Sequence, residues 1–587
     1  MPDSLDAPVG VEDRPDTPEP SRPVGWSFAR AADWARSRGP VARACAAVLL
    51  YAVVSVVAYG REALPHFGSH CLTMCATDTN YFIWSLQWMS HALAHGLNPF
   101  HTNVLTAPGS LDLTWAVTVP GPAFILAPVT WLFGPVATDN LLLVLAPVLA
   151  GWAAYLVCNR VTRRFWPSVV GGFVFGFSPY VEHYMRAQLH ALLVFPAALA
   201  VYLVLRRMDG SMGKRAFVIL LALVLILQIS ISAEIFASMT LFGAIALAGV
   251  LAFEPKLRKA LWSVTGLIAA AYVAVAVVLV PYLLELFRNA PTRTIRDPAM
   301  ASADLLSFVI PKRGMLVGGT TFYGITRKFV GTAEMAYLGP VFILILLLFA
   351  WEGRRRRSTW LLLGFIAVCA LLSLGPKLHV DGAESVGMPG ALLTSLPFMH
   401  NSLPERWVEY MWIAIAVITA MWLTRGSTRG RWIRYLLVGV ALVFTIQEVN
   451  YPPAPTQLAV PAFFTDGTYR SYLHPGEIVL PVTKYLGNDF LWQAKADMYY
   501  RMPQGSWPLV RIAEGGDIVR NWTLGTTSFR HPVTPPTPAS LRGLLEQHHV
   551  DAIVATDEIN ARWRVVLRSV VSSNPISVDG VIIYRVG

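Results

Sequence analysis

Long apolar runs separated by short basic loops constrain this chain more than any other feature. They fall near residues 41–59, 139–158, 167–181, 189–205, 216–232, 235–253, 261–285, 336–352, 358–375, 406–424 and 432–449. A helix of about 20 apolar residues crosses the hydrocarbon core of a bilayer. Only 14% of the 587 residues are charged, against about 25% in an ordinary soluble domain. The chain therefore reads as a polytopic α-helical membrane protein with about 11 transmembrane helices. The net charge of +11 does not point to nucleic acid. Its cations cluster in loops between apolar runs: Arg206 and Arg207, Lys214 and Arg215, Lys256 to Lys259, Arg354 to Arg357, and Arg425 to Arg434. That pattern sets topology, with positive loops on the cytoplasmic side.

Arg30, Arg36, Arg38 and Arg43 precede the first span and place the N-terminus inside. One further apolar segment, Val117 to Phe133, upsets the parity. Counted as a span, it moves Arg160, Arg163, Arg164 and Arg206 outside. Its Pro120, Pro122 and Pro128 suit a full-length transmembrane helix poorly. It reads instead as an interfacial or re-entrant helix on the outer face. The topology is then N-in and C-out. External elements are the loop at 60–138, the turn Tyr180 to His190, and loops at about 286–336 and 376–405. Residues 1–40 are polar and rich in Pro, Asp and Glu, and read as a disordered cytoplasmic tail. After a Pro-rich linker at 451–461, short β-branched runs alternate with a helical stretch at 540–549. Residues 451–587 thus read as a small external α/β domain, and 41–450 as the transmembrane domain.

The chemistry is expected at the outer membrane edge. Asp78 lies in Cys71-Leu-Thr-Met-Cys75-Ala-Thr-Asp78-Thr-Asn80, after the first span. Cys71 and Cys75 lie outside the membrane, where a disulfide can persist; a bridge and two free thiols both stand at this point. Residues 79–95 are amphipathic, with Phe82, Ile83, Leu86, Met89 and Leu93 on one side. Asn80, Trp84, Gln87, His91 and His95 follow one another on the other. This is the pattern of a helix lying on a membrane surface. Asp78 would cap it or act as a general base at the boundary. Asp112 is a second carboxylate in the same loop, facing the same cavity or water. The turn at 180–190 holds Glu182, His183, Arg186 and His190. It is either solvated or a second wall opposite Asp78, with Arg186 as a phosphate contact. Glu234 reads as solvated. The loop after the 261–285 run is basic, with Arg288, Arg293, Arg296, Lys312, Arg313, Arg327 and Lys328. An anionic ligand on the outer face explains such a loop, as does ordinary surface charge. Arg406 opens the 406–424 run, placed to snorkel or to bind a lipid phosphate. There is no Walker sequence for nucleotide phosphates.

In layout the chain resembles the GT-C superfamily of polyprenyl-phosphate-sugar-dependent glycosyltransferases. Those enzymes have an N-inside first span and a large first external loop carrying an essential acid and juxtamembrane helices. Asp78 stands at the acid's position, and segments 79–95 and 117–133 look like the juxtamembrane helices. Glu182 stands roughly where several members keep a second acid. Leu374-Gly375-Pro376, Leu396-Pro397 and Glu405-Arg406 look like a pattern in bacterial members of unknown substrate. The chain departs from many members in having Thr79 where an acidic pair would continue, and it lacks a WWDYG-type signature. The resemblance covers roughly residues 41–450.

It implies a multi-pass protein of the cell (plasma or inner) membrane. A polyprenyl-phosphate-linked sugar would enter from the bilayer with its phosphate near Arg186, Arg327 or Arg406. Asp78 would deprotonate an acceptor hydroxyl of a cell-envelope glycan, lipid or protein, with Glu182 and His183 in the same catalytic group. Asn80, Trp84, Gln87, His91, Asp112 and His190 would line the substrate cavity. No protein metal site is expected; a divalent ion beside Asp78 stays open as a cofactor. The competing readings are a transporter or flippase of a lipid-linked glycan and a cell-envelope scaffold.

Overall fold

The computed structural model describes residues 39–61, 64–72, 75, 77–186, 188–290, 297–329, 331, 333–396, 399–425, 428–447, 456–484, 487–503, 527–528, 531–532, 537–559 and 561–586. The expected disordered tail, the start of the 451–461 linker, and Arg293 and Arg296 lie outside them. Contacts group the chain from Ala44 onward into one compact unit.

Among the described residues, seven helices are long and apolar enough to cross a membrane. They are Pro40–Gly60, Pro135–Thr162, Leu189–Met208, Lys214–Ile231, Ala233–Phe253, Pro255–Val278 and Pro404–Leu423. Shorter apolar helices run at Gly339–Glu352 and Arg357–Ser373. The protein is thus a multi-pass membrane protein. The difference from eleven expected runs has local causes. The 167–181 run forms a helix only over Phe165–Gly176, and a new short helix starts at Pro179. Twelve residues rise about 18 Å, well short of a hydrocarbon core of about 30 Å. The 261–285 run is broken at Leu279, just before Pro281. Helix Thr428–Thr445 has the length but opens with Arg429, Arg431 and Arg434. The segment Val117 to Phe133 forms two short helices, Pro120–Ile125 and Ala127–Phe133. Neither has the length to cross.

Close helix packing substitutes here for a water-driven core. Helix Phe165–Gly176 lies against Pro135–Thr162 so tightly that a Cβ on Gly176 would meet Pro147 O and Gly151 N at 2.6 Å. Tyr51 ties the first helix to this pair by donating to Val169 O at 2.8 Å, and Ser55 donates to Val144 O at 2.7 Å. Helix Val408–Leu423 is buried almost all round, with Trp412 and Trp422 among the fully buried side chains. On the peripheral helices Leu49, Val53, Ile219, Leu223, Trp262 and Val273 are exposed, as a lipid-facing surface requires.

The C-terminal residues build a four-stranded sheet. Its order is Ile576–Val578, Val581–Arg585, Ala552–Thr556, Val479–Val482. The first two pairings are antiparallel and the last is parallel. A parallel pair needs a long crossover, and helices Asn488–Lys495 and Pro538–Gln547 lie within it. Leu541, Leu544, Leu545, Trp563 and Leu567 bury one sheet face with Leu480 and Ile553. This α/β segment packs into the body of the protein. Thr456–Gln457 pairs with His70–Cys71, and helix Asn488–Lys495 lies along helix Thr77–His95.

That last contact corrects the expectation for residues 79–95. The helix exists, over Thr77–His95, but it does not lie on a surface. Both sides are buried: Phe82, Ile83, Leu86 and Met89 on one, Asn80, Trp84 and Trp88 on the other. A polar stripe facing water and one facing a hydrogen-bonding partner give the same periodicity.

Candidate active site

Asp78 lies inside the first turn of helix Thr77–His95. The expected N-cap role is therefore not its position, although the positive end of the helix dipole still favours its charge. Cys71 and Cys75 are disulfide-bonded just upstream. Asn140 holds the same approach, accepting from Leu72 N at 2.9 Å and donating to Phe67 O and His70 O at 2.8 Å. The start of the Asp78 helix is thus fixed by a covalent bridge, a strand pairing and a buried amide.

A partner of Asp78 comes from the turn between the third and fourth apolar runs. Gln188 Nε2 donates to Asp78 Oδ2 at 3.2 Å. Gln188 Oε1 accepts from Arg406 Nη2 at 3.0 Å. Arg406 Nε donates to Tyr184 Oη at 3.0 Å, with the guanidinium 5.4 Å from the centre of that ring. Arg406 Nη1 pairs with Glu234, whose Oε1 accepts from Leu403 N at 2.9 Å. The Arg406 side chain is only 7% exposed. A buried charge is tolerable when paired and hydrogen-bonded, and each Arg406 guanidinium nitrogen has a partner. Arg406 therefore does not snorkel to an interface, and Glu234 is its counter-ion and not a solvated acid. Sequence reasoning missed both Gln188 and this pairing.

The sequence pattern at 374–376 and 405–406 acquires a geometric reason. Gly375 has φ +72°, and a Cβ there would overlap Ser302 Oγ. Ala303 N donates to Ser373 O at 2.9 Å. A Cβ on Gly331, at φ +63°, would overlap a carboxylate oxygen of Glu405. The glycines let two loops close around the segment that presents Arg406.

Other expected residues are placed differently. Glu182 is buried, accepting from Tyr59 Oη at 3.3 Å and from Gln447 N at 3.2 Å. Burial pushes its carboxyl up to about 8, against lowering by Gln447, Tyr59 and Arg186. Arg186 Nη2 donates to Gln447 Oε1 at 3.1 Å. Glu182, Arg186 and Gln447 thus form a second cluster, tied to the end of helix Thr428–Thr445 and not to Asp78 through these bonds. His183 packs edge-on against Tyr184, with centroids 4.9 Å apart, and buried His190 stacks on Phe82 at 5.8 Å. Asp112 accepts from Thr114 N at 2.8 Å and Asn289 Nδ2 at 3.1 Å. Arg327 is exposed near the end of a short helix at Tyr323–Thr326.

Four residues expected in the cavity bind the C-terminal segment. Asn80 Nδ2 donates to Asn488 Oδ1 at 3.2 Å, and Trp84 Nε1 to Gln493 Oε1 at 2.6 Å. Gln87 Nε2 donates to Asp497 Oδ1 at 2.7 Å, with His91 Nδ1 3.3 Å from the same oxygen. The hydrogen bond from His91, then that from Gln87, holds Asp497 below the usual carboxylate range. Among the described residues no group of three or more His, Cys, Asp or Glu is arranged to hold a metal ion.

A family model described as "Domain of unknown function (DUF6311)" matches residues 48–450, more than half of the chain. No curated protein matches it. Among solved structures, the chain is similar to the arabinofuranosyltransferase AftD from Mycobacteria, with a TM-score of 0.59 and 14% identity over 92% of this chain and 40% of that one. The AftD mutant R1389S (class 2) gives a TM-score of 0.54 at 14% identity, covering 92% of this chain and 41% of that one. ArnT from Cupriavidus metallidurans, solved with undecaprenyl phosphate, scores 0.48 at 13% identity over 92% of this chain and 97% of its own. The chain spans about two fifths of AftD's length. The chain shares its fold with AftD.

Proposed function

The chain belongs to the DUF6311 family, and from that premise we propose that it is a membrane glycosyltransferase with Asp78 as its general base. One observation carries the reading. A carboxylate at the head of a buried helix is held by a neutral amide, in a fold shared with an arabinofuranosyltransferase. The amide hydrogen bond orients the carboxylate, and a positioned carboxylate is the group that takes a hydroxyl proton in general base catalysis.

In this reaction the donor is a sugar linked to a polyprenyl phosphate. Asp78 takes the proton of an acceptor hydroxyl, and that oxygen bonds to the anomeric carbon. The carbon–phosphate-oxygen bond breaks, and the lipid phosphate leaves with the electron pair. A single displacement inverts the anomeric centre. Arg186 and exposed Arg327 are the phosphate contacts of this reading. Arg406, neutralised by Glu234, serves the framework instead. Glu182, expected beside Asp78, belongs to the second cluster, and His183 packs against Tyr184. The acceptor is a cell-envelope glycan, lipid or protein. The loop 60–138 and residues 451–587 face away from the cytoplasm at the cell membrane.

The test is transfer by purified protein in nanodiscs. The donors are a panel of radiolabelled polyprenyl-phosphate sugars, and the acceptor is a cell-envelope extract. Label transfer that Asp78→Asn abolishes supports the reading. Full transfer by Asp78→Asn at normal expression overturns the assignment. No transfer from any donor by folded protein favours a transporter or scaffold.

A further inference from the structure

We infer that Gln188 is the positioning residue of the proposed base, orienting Asp78 while separating it from the arginine behind it; this rests on the reading of Asp78 given above. The chemistry of the three partners makes the arrangement one-directional. An ionised carboxylate only accepts hydrogen bonds, and a guanidinium only donates. Between them a carboxamide has a single satisfactory orientation, with Nε2 toward Asp78 and Oε1 toward Arg406. No other neutral side chain of that length donates at one edge and accepts at the other. Arg406 is itself fixed by Tyr184 and Glu234. Gln188 therefore transmits a rigid reference point to the Asp78 rotamer.

The separation matters as much as the orientation. A guanidinium in direct contact with an aspartate lowers its pKa by about 1–3 units. That change would weaken the base that must remove a hydroxyl proton. With Gln188 between them, Arg406 keeps Glu234 as its counter-charge, and Asp78 receives one neutral hydrogen bond from this side.

Two near-isosteric variants test this, read with the most active donor of the polyprenyl-phosphate panel in nanodiscs. Gln188→Met keeps the length and removes both hydrogen bonds. Its kcat should fall about 10- to 100-fold, the scale of a small misplacement of a catalytic group, with the donor KM within about threefold. Gln188→Glu puts a second carboxyl against Asp78. The acid limb of its kcat–pH profile should move up by about one unit or more. Thermal unfolding of each variant is measured alongside. If Gln188→Met fails to fold, the pH limb of Gln188→Glu decides. Loss of transfer in Asp78→Asn together with unchanged kcat and acid limb in both Gln188 variants overturns this inference and leaves the proposed function standing. Full transfer by Asp78→Asn overturns both.

Discussion

Helix Thr77–His95 is held at its two ends by different physics. At its head, Asp78 reaches through Gln188 to a buried ion pair, Arg406 with Glu234. Along its later turns, Asn80, Trp84, Gln87 and His91 meet Asn488, Gln493 and Asp497 through neutral or partly exposed contacts. At the head, each side chain fixes the orientation of the next through a hydrogen bond. The seam holds two chain segments together through several side-by-side contacts. Groups that serve chemistry are expected at the first kind of place.

The contrast can be broken at several points. Asp78→Asn should lower transfer by at least about 100-fold with little change in apparent Tm, and comparable losses in Gln87→Ala would erase the distinction. Arg406→Met leaves half-buried Glu234 without its counter-ion and should destabilise the protein by about 1–3 kcal/mol. Adding Glu234→Gln should restore much of that, as judged by apparent Tm in nanodiscs. At the seam, Gln493→Leu leaves the Trp84 indole N–H and the Val104 and Tyr500 carbonyls without their side-chain partner and should cost at least about 1–3 kcal/mol while sparing the pH profile of transfer.

Glu182 gives a pH test. Its carboxyl is raised from an ordinary value of 4.5 to about 8 by burial. The folded state therefore binds its proton more tightly than the unfolded chain does. Stability should fall as pH rises from about 4.5 to about 8 and level off above. Glu182→Gln should flatten that slope, seen as an apparent Tm that moves by a few degrees less across the window. His91→Ala should be mildest, under about 1 kcal/mol, because the Asp497 side chain is 60% exposed.

The membrane class and the helix following Asp78 were legible because long apolar runs and 3.6-residue periodicity are local signals. The break at Gly176 to Pro179 was legible only as a proline, since hydropathy does not register where a helix stops. The polar stripe of helix Thr77–His95 was visible, but its occupant was not; a docked domain and bulk water select the same residues. Gln188 carried no signal at all, being one uncharged residue among louder neighbours. The Arg406–Glu234 pair spans 172 residues of sequence, and no single-sequence pattern links two such positions. The glycines at 331 and 375 carry no local pattern, and their reason appears only once Glu405 and Ser302 stand beside them.

The seam also imposes an order on biosynthesis. Asn80 and its partner Asn488 are separated by 408 residues. At about 5–20 residues per second, the ribosome needs roughly 20–80 s between making one and making the other. Throughout that interval the Asp78 helix has been synthesised with its polar stripe uncovered, so it cannot be completed by its own neighbourhood. A nascent or truncated chain ending before residue 488 would hold its proposed base on an unfinished support. Competence for the reaction would then wait until residues 488–497 have been made and have docked on the helix.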